Sequence, residues 1–235
     1  KGGIAKSGVP LVIAGGYPAE ALAAIREQAE NVSAPLFEAG RDWFVDTWQG
    51  GHYRDREGRF ELPQMSLPGA HQYRNAGLAA AMLRHQKSLP ITEQSLRSGM
   101  QKTIWPGRLH ALSQGPLTAL VAGRPVLLDG GHNRSAGEAI AGSLDGQFHL
   151  VLGMLANKDP RALLDPLEGR IRTLQVVSVP GHDSHPVDAF GPEARAAAGI
   201  ENALRAIAAD DYPVLIAGSL YLAGEVLRLN HETVS

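Results

Sequence analysis

The second half of the chain alternates short apolar runs with stretches rich in alanine, leucine and charged residues. Each run has the length of a strand, and most of the stretches that follow have the length of a helix. Repeated strand–helix units favour a parallel sheet with helices packed against it. The sequence therefore predicts an α/β fold with a mostly parallel sheet. The predicted strands, each with the helix after it, are 126–128 and 133–144, 148–152 and 160–167, 174–179 and 193–198, and 214–217 and 220–229.

The first half is less regular. Two segments that alternate apolar and polar residues flank a turn-rich YRDREG sequence, which predicts an antiparallel hairpin. We place a domain boundary near Leu112, so that the predicted domains are residues 1–111 and 112–235. The predicted elements of the first half are a strand at 10–14, a helix at 18–30, hairpin strands at 42–48 and 58–63, and helices at 71–85 and 92–103.

Composition narrows the classes of function. The 235 residues carry 22 Lys+Arg against 24 Asp+Glu, a net charge of −2, which argues against a dedicated nucleic-acid or polybasic membrane binder. No apolar run is long enough to predict a membrane-spanning helix. The absence of cysteine excludes disulfides and thiolate metal sites and favours a cytoplasmic location. Because the chain starts with Lys1 and enters an apolar run within ten residues, we expect it to be a fragment of a larger protein.

Three polar clusters follow predicted strands. In an open parallel sheet, ligands bind beyond the carboxyl ends of the strands, where helix N-termini offer free N–H groups. An Asp at this edge can accept hydrogen bonds from ribose hydroxyls, and a His can donate to phosphate or carboxylate oxygens. Helix capping and a solvated Lys–Asp pair remain open as purely structural alternatives. The clusters are Asp129-Gly-Gly-His132-Asn133, Asn157-Lys158-Asp159 and Gly218-Ser219.

Further candidates lie outside these clusters. His71 and Asn75 are four residues apart on one face of a predicted helix, where they suit either the amide edge of a purine or a helix cap. Arg108 follows Trp-Pro-Gly on a stiff turn, so it either bridges two domains through a phosphate or is an ordinary surface arginine. His182 and His185 have metal-ligand spacing, but without a third ligand nearby they favour a simple loop.

Taken together, these clusters occur in the order found in one family. They resemble the later portion of the folylpolyglutamate synthase/dihydrofolate synthase family, within the Mur ligase superfamily, and the resemblance spans the whole chain. The motifs that carry it are KGGI at 1–4, KSGVP at 6–10, LPGAHQ at 67–72 with Asn75-Ala76, WPGR at 105–108, LDGGHN at 128–133, GMLANKD at 153–159 and GSLY at 218–221.

The resemblance implies a fold and a reaction. The fold would be the end of a Mur-ligase-type central ATPase domain, followed by a Rossmann-like C-terminal domain. The reaction would use ATP and Mg²⁺ to phosphorylate the carboxylate of dihydropteroate or a reduced folate, and the amine of L-glutamate would attack the acyl phosphate. Charge neutralisation at the phosphoryl group and closure of two domains are its physical requirements. The resemblance also implies a monomer, with neither nucleic acid nor membrane as a partner.

The resemblance further assigns roles to single residues. Asn75 matches a residue that contacts adenine, Arg108 an interdomain arginine on the ATP phosphates, and Asp129 a ribose-binding residue. His132, Lys158 and Ser219 match positions near the glutamate and the acyl phosphate. Lys1 matches a carbamylated lysine that organises magnesium, and no direct metal ligand is assigned in this chain. These assignments make Lys1, His132 and Lys158 the catalytic candidates, Asn75, Arg108 and Asp129 the ATP-binding candidates, and His132, Lys158 and Ser219 the substrate-binding candidates.

The chain also departs from the family pattern. The Gly-Lys-Ser/Thr phosphate loop is absent, so this polypeptide alone is expected to be inactive. Asn157 stands where Asp is usual, and the segment between Arg108 and Asp129 is longer than is typical. Two alternatives stay open at this point, a Mur-type peptidoglycan amino-acid ligase and a non-catalytic ligand-binding module that retains the fold.

Overall fold

A computed structural model of the chain describes residues 2–47 and 51–233. It forms two compact units, unit 1 with residues 1–66 and 70–103 and unit 2 with residues 67–69 and 104–235. The units divide near residue 103, and a short strand, β6 (His110–Ala111), pairs with the sheet of unit 2. The domain boundary near Leu112 stays a prediction. No helix in the described part of the chain is long and apolar enough to cross a membrane.

The described part of unit 1 contains a small parallel sheet and three α-helices. β1 (Leu11–Ile13) and β2 (Leu36–Glu38) pair in parallel and are joined by α1 (Ala19–Asn31). A parallel pair requires a crossover connection of this kind, since a tight turn can join only antiparallel strands. The strand predicted at 10–14 and the helix predicted at 18–30 are therefore confirmed. The other helices are α2 (His71–His85) and α3 (Glu93–Lys102).

A separate antiparallel sheet in unit 1 has three strands, β3 (Trp43–Asp46), β4 (His52–Asp55) and β5 (Gly58–Glu61). β4 pairs with both of its neighbours, so the predicted two-stranded hairpin is wrong. Half of the segment that suggested a turn is the middle strand. Its Tyr53 is fully buried between two more exposed residues, which is the pattern of a strand with one covered face.

Unit 2 is built on a six-stranded sheet in the order β10-β9-β8-β11-β7-β6, parallel except for β6. This confirms the predicted α/β class and the mostly parallel sheet. The remaining elements are β7 (Val126–Leu128), α4 (Arg134–Ala141), β8 (Phe148–Leu152), α5 (Pro160–Leu164), β9 (Ile171–Val176), β10 (Ala194–Ala196), α6 (Ile200–Arg205), β11 (Val214–Ala217) and α7 (Leu220–Leu229).

The helix predicted at 193–198 is wrong, because β10 occupies this segment. Its alanines have high helix propensity, but the segment pairs in parallel with β9 at the edge of the sheet and buries Ala194. Pairing and burial outweigh a propensity preference of a few tenths of a kcal/mol per residue. The helix begins four residues later than β10 ends, at Ile200, after Gly199.

Both faces of this sheet are covered. In β8 and β11, alternate residues belong to two different apolar clusters. Leu150 and Leu215 pack with residues of α4 and α5, whereas Val151 and Val214 pack with residues of α6 and α7. Two-sided burial explains why these strands appear in the sequence as nearly unbroken apolar runs.

A polar clasp around Asn230 joins residues 113–118 to the segment that follows α7. Asn230, only 1% exposed, accepts hydrogen bonds from the backbone N–H groups of Leu117 (3.0 Å) and Thr118 (3.3 Å). Its amide group donates to the carbonyl of Ser113 (3.0 Å) and to Glu232 (2.8 Å). Asn230 and the Leu117 N–H are the buried members, and a buried polar group left without a partner costs about 1–3 kcal/mol.

Candidate functional site

The three polar clusters of unit 2 lie at one edge of the sheet. β11 lies between β7 and β8 and is parallel to both, so the segments after all three strands leave at the same edge. The strand order also changes direction here, since β7 and β8 are consecutive in sequence but separated by β11. Such a switch point is where open α/β sheets bind their ligands.

Asp129 is buried at the end of β7, with 6% of its surface exposed. Oδ1 accepts the N–H of Gly131 (2.7 Å), and Oδ2 accepts the N–H of Leu109 (2.9 Å). Its own backbone N–H donates to the carbonyl of Ile216 in β11 (2.9 Å). The carboxylate therefore fastens the segment around residue 109 to the edge of the sheet, a role that the sequence did not indicate.

Arg108 is exposed on the turn that Asp129 holds. Its neighbours both have positive φ angles, +78° for Gly107 and +45° for Leu109. A left-handed leucine is unusual and persists only where surrounding contacts enforce it. The bond from Leu109 to Asp129 and a second bond from the Gly130 N–H to the Gly107 carbonyl (2.8 Å) supply those contacts. The backbone of Arg108 is thus fixed from both sides.

Ser219 is the N-cap of α7 and only 4% exposed. Its Oγ accepts the N–H of Tyr221 at 3.1 Å, so the capping interpretation holds for this residue. Gly218, just before it, has φ +110°, a conformation that side chains rarely permit. The next residue, Leu220, packs so closely over Gly130 that a Cβ on that glycine would lie 2.3 Å from the leucine Cδ2.

The other predicted residues at this edge sit beside helix starts. Asn133 caps α4 by accepting the N–H of Ala136 (3.0 Å), and Asp159 caps α5 by accepting the N–H of Arg161 (2.9 Å). The residues before the caps, His132 and Lys158, are half-buried. Capping occupies the side-chain oxygens of Asn133, Asp159 and Ser219, although the Ser219 hydroxyl keeps its own proton to donate. The imidazole of His132 and the ammonium of Lys158 cap no helix.

In unit 1, the predicted pair at the start of α2 is joined by a third residue. The amide nitrogen of Gln72 lies 3.0 Å from Nε2 of His71, and the amide of Asn75 donates to Oε1 of Gln72 at 3.0 Å. Gln72 is buried and Asn75 is exposed. The side chain of Gln72 therefore fixes the orientation of the Asn75 amide, and its place in the motif with His71 was the signal for it.

Lys1 lies outside the described residues. Within residues 2–47 and 51–233, no group of three or more His, Asp or Glu side chains is arranged to hold a metal ion. His182 and His185 have different partners, the ring of Tyr221 and the carbonyl of Lys158 respectively. A cavity of about 350 Å³ in unit 1, bordered by Phe37, Arg54 and His85 among others, contains none of the predicted site residues.

No protein-family profile matches the chain. It is 31% identical to a folylpolyglutamate synthase from Lacticaseibacillus casei, over 96% of the chain and 55% of that protein. It is 34% identical to a dihydrofolate synthase/folylpolyglutamate synthase from Bacillus subtilis, over 72% of the chain and 40% of that protein. A crystal structure of a bifunctional folylpolyglutamate synthase/dihydrofolate synthase with Mn, AMPPNP and L-glutamate bound matches with a TM-score of 0.80 and 25% identity, over 98% of the chain and 55% of that structure. The chain thus spans about half the length of the relatives it matches.

Proposed function

This chain belongs to the folylpolyglutamate synthase/dihydrofolate synthase family, and from that premise we propose that it forms the C-terminal portion of an ATP-dependent ligase. The ligase adds L-glutamate to dihydropteroate, to the γ-carboxylate of folates, or to both. The observation that carries the proposal is the convergence of the family motifs around Asp129, Lys158 and Ser219 on one edge of the unit 2 sheet. Both sequence relatives bear folate-ligase names, which favours the folate reaction over the muramoyl one.

The sheet edge suits an anionic amino acid. Lys158 supplies a positive charge and His132 a hydrogen-bond donor, and Ser219 supplies a hydroxyl at the N-terminus of α7, where the helix dipole favours a carboxylate. We assign glutamate and the reacting carboxylate to these three residues. His132 and Lys158 then stabilise the negative charge that develops as the amine attacks the activated carboxylate. Stabilisation of this kind by fixed donors is usually the largest single contribution to the rate of such a reaction.

ATP supplies the phosphoryl group that activates the folate carboxylate. We assign the phosphates to Arg108, whose guanidinium is exposed on a turn fixed by Asp129, and the adenine edge to the oriented amide of Asn75. Asp129 supports nucleotide use through that turn, and its direct bond to the ribose stays a prediction. Among the described residues, no cluster of side chains is arranged to hold Mg²⁺. A reaction that consumes ATP fits a cytoplasmic location, which we also propose.

The test is glutamate addition by the gene product that carries this sequence. Phosphate release is measured with ATP, Mg²⁺ and L-glutamate, and dihydropteroate, tetrahydrofolate and a UDP-muramoyl peptide are compared as acceptors. Release with the pterin acceptors alone is the expected result. Release with the muramoyl acceptor alone would assign the chain to peptidoglycan synthesis, and release with none would favour a non-catalytic module.

A Ser219→Gly variant tests the site assignment within that assay. Glycine removes the hydroxyl but costs a helix N-cap only a few tenths of a kcal/mol. Because a hydrogen bond to a charged group contributes about 1.5–3 kcal/mol, KM for L-glutamate should rise about tenfold or more. KM for ATP should stay nearly constant. Ser143→Gly, at the far end of α4, is the matched control, and a larger effect on ATP than on glutamate would contradict the assignment.

A further inference from the structure

The loop of residues 181–186 carries two histidines that the proposed reaction does not use. This loop follows β9 and is fastened to the segment before Lys158. The N–H of Ala156 donates to the carbonyl of Asp183 (2.9 Å), and Leu155 and Ser184 form an antiparallel bridge. The hydroxyl of Ser184 also accepts the N–H of Val179 at 2.8 Å. Hydrogen bonds therefore hold the loop against the edge of the sheet that carries the candidate site.

His185 contacts the segment between β8 and α5, residues 153–159, which we call the Lys158 arm. Its Nε2 lies 2.5 Å from the carbonyl oxygen of Lys158. Since a carbonyl oxygen only accepts hydrogen bonds, Nε2 must carry the proton. The imidazole ring meets Phe190 edge-on at 6.0 Å, which limits its rotation. His185 thus holds the backbone of Lys158 at a fixed place, immediately before the capping residue of α5.

His182 contacts the segment from the end of β11 into the first turn of α7, residues 218–221, which we call the Ser219 arm. Its ring lies 3.9 Å from the ring of Tyr221, with the two planes inclined by 36°. The N–H of Tyr221 is the group that bonds the Ser219 hydroxyl. Tyr221 is 58% exposed, so the packing on His182 restrains a side chain that other contacts leave open to solvent.

We propose that this loop is a clamp that positions the two glutamate-binding arms relative to each other. His185 fixes the Lys158 arm and His182 fixes the Ser219 arm, and the short loop between them sets the spacing. The proposal rests on the assignment of glutamate to Lys158 and Ser219. It makes both histidines positioning residues that act through their partners, and it explains their spacing without a metal.

Kinetics of His185 variants test the first contact. In the gene product that carries this sequence, His185→Ala should raise KM for L-glutamate about three- to tenfold, as loss of one hydrogen bond predicts. KM for ATP should change less than about twofold, because the lost hydrogen bond holds Lys158, which is assigned to glutamate and not to ATP. His185→Gln retains an N–H donor at similar reach and should recover most of the loss. Equal glutamate KM values in His185→Ala and wild type would overturn the proposal.

His182 variants test the second contact. His182→Ala removes the ring on Tyr221 and should raise KM for L-glutamate, whereas His182→Phe keeps an aromatic face and should preserve it. A control is His231→Asn. His231 is an exposed residue just after α7 with φ +58°, which asparagine tolerates. It should leave both KM values unchanged.

Hydrogen exchange tests the clamp without any reaction. The N–H groups of Ala156 and Lys158 are bonded, the first to the loop itself. In His185→Ala, peptides covering 154–160 should exchange faster, while peptides covering β8 and β11 should not change. If His185→Ala exchanges at 154–160 at the same rate as the wild type, the clamp proposal is overturned, even when the enzyme is active. The opposite outcome is also informative. If the wild type adds no glutamate, but His185→Ala still exchanges faster than the wild type at 154–160, only the proposed function is overturned.

Discussion

Gly218 connects the central strand of unit 2 to the serine of the proposed glutamate site, and replacing it by alanine should be severe. A Cβ at this position would lie 2.6 Å from the carbonyl oxygen of Gly153 and 2.7 Å from Cδ1 of Leu152. Relieving such overpacking costs about 1–3 kcal/mol. The φ of +110° adds about 1–3 kcal/mol of backbone strain for a residue with a side chain. We expect Gly218→Ala to lower the free energy of unfolding by about 4 kcal/mol, against a typical total of about 5–15 kcal/mol.

The assay must report on unit 2. Trp43 is buried in unit 1 and Trp105 is exposed, so tryptophan fluorescence would mainly follow the wrong unit. Urea unfolding should instead be followed by far-ultraviolet circular dichroism, together with hydrogen exchange of peptides that cover β11. The matched control is Gly224→Ala. Gly224 is exposed within α7, and a Cβ there would meet no atom within 4 Å. Helix propensity predicts that this variant is more stable by about 0.5–1 kcal/mol.

The two substitutions should therefore change the free energy of unfolding in opposite directions, with Gly218→Ala lowering it and Gly224→Ala raising it. If Gly218→Ala unfolds at the same urea concentration as Gly224→Ala, neither the close approach at the sheet edge nor the positive φ constrains this position, which would refute the prediction. If Gly218→Ala is destabilised but keeps the wild-type KM for L-glutamate, the strain is real and Ser219 is not where glutamate binds.

Two further predictions concern buried carboxylates. Asp129→Ala should leave the N–H groups of Leu109 and Gly131 without acceptors, destabilise unit 2 by about 3 kcal/mol and raise KM for ATP, with Asp129→Asn intermediate; unchanged nucleotide kinetics would remove Asp129 from the site. In unit 1, burial tends to raise the pKa of Asp55, but its bonds to Arg84 (2.7 and 3.0 Å), the Glu57 N–H and Tyr53 outweigh this and hold the pKa below its usual value. Ionised Asp55 therefore stabilises the fold above about pH 4, the pKa in an unfolded chain, and this stabilisation is lost as the pH falls through the lower folded pKa. Asp55→Asn should flatten this acid dependence in urea unfolding at pH 3–6, and an unaltered profile would contradict the pairing.

The sequence predicted the central strands of unit 2 well because they are buried on both faces. β7, β8 and β11 have the predicted bounds, since a run of apolar residues between turn signals leaves few other solutions. Edge and surface strands were harder. β10 has a neighbour on one side only, and the sequence of β4 resembles a turn. In both segments, tertiary pairing outweighs a weak local preference.

Motifs located the candidate site, and the sequence relatives confirmed the family resemblance. What the motifs did not convey is how the residues are held. Nothing in the sequence marks Leu109 as left-handed or Asp129 as its anchor, because that bond joins residues twenty positions apart and depends on the finished sheet. The partners of His182 and His185 could not be predicted from the sequence either. His182 packs on Tyr221 and His185 bonds to Lys158, and other strands bring both of these residues alongside the loop.

The place of β11 in the sheet has a consequence for how the chain is made. The last strand of unit 2 in sequence is inserted between β7 and β8, which precede it by about 60–90 residues. During synthesis, the two flanking strands leave the ribosome before the strand that pairs with both, so their backbone N–H and C=O groups on that side are open to mispairing. The sheet edge that carries Ser219 then assembles in one late step, sealed by the Asn230 clasp. A nascent chain halted before residue 214 should therefore depend on chaperones, however complete its other elements are.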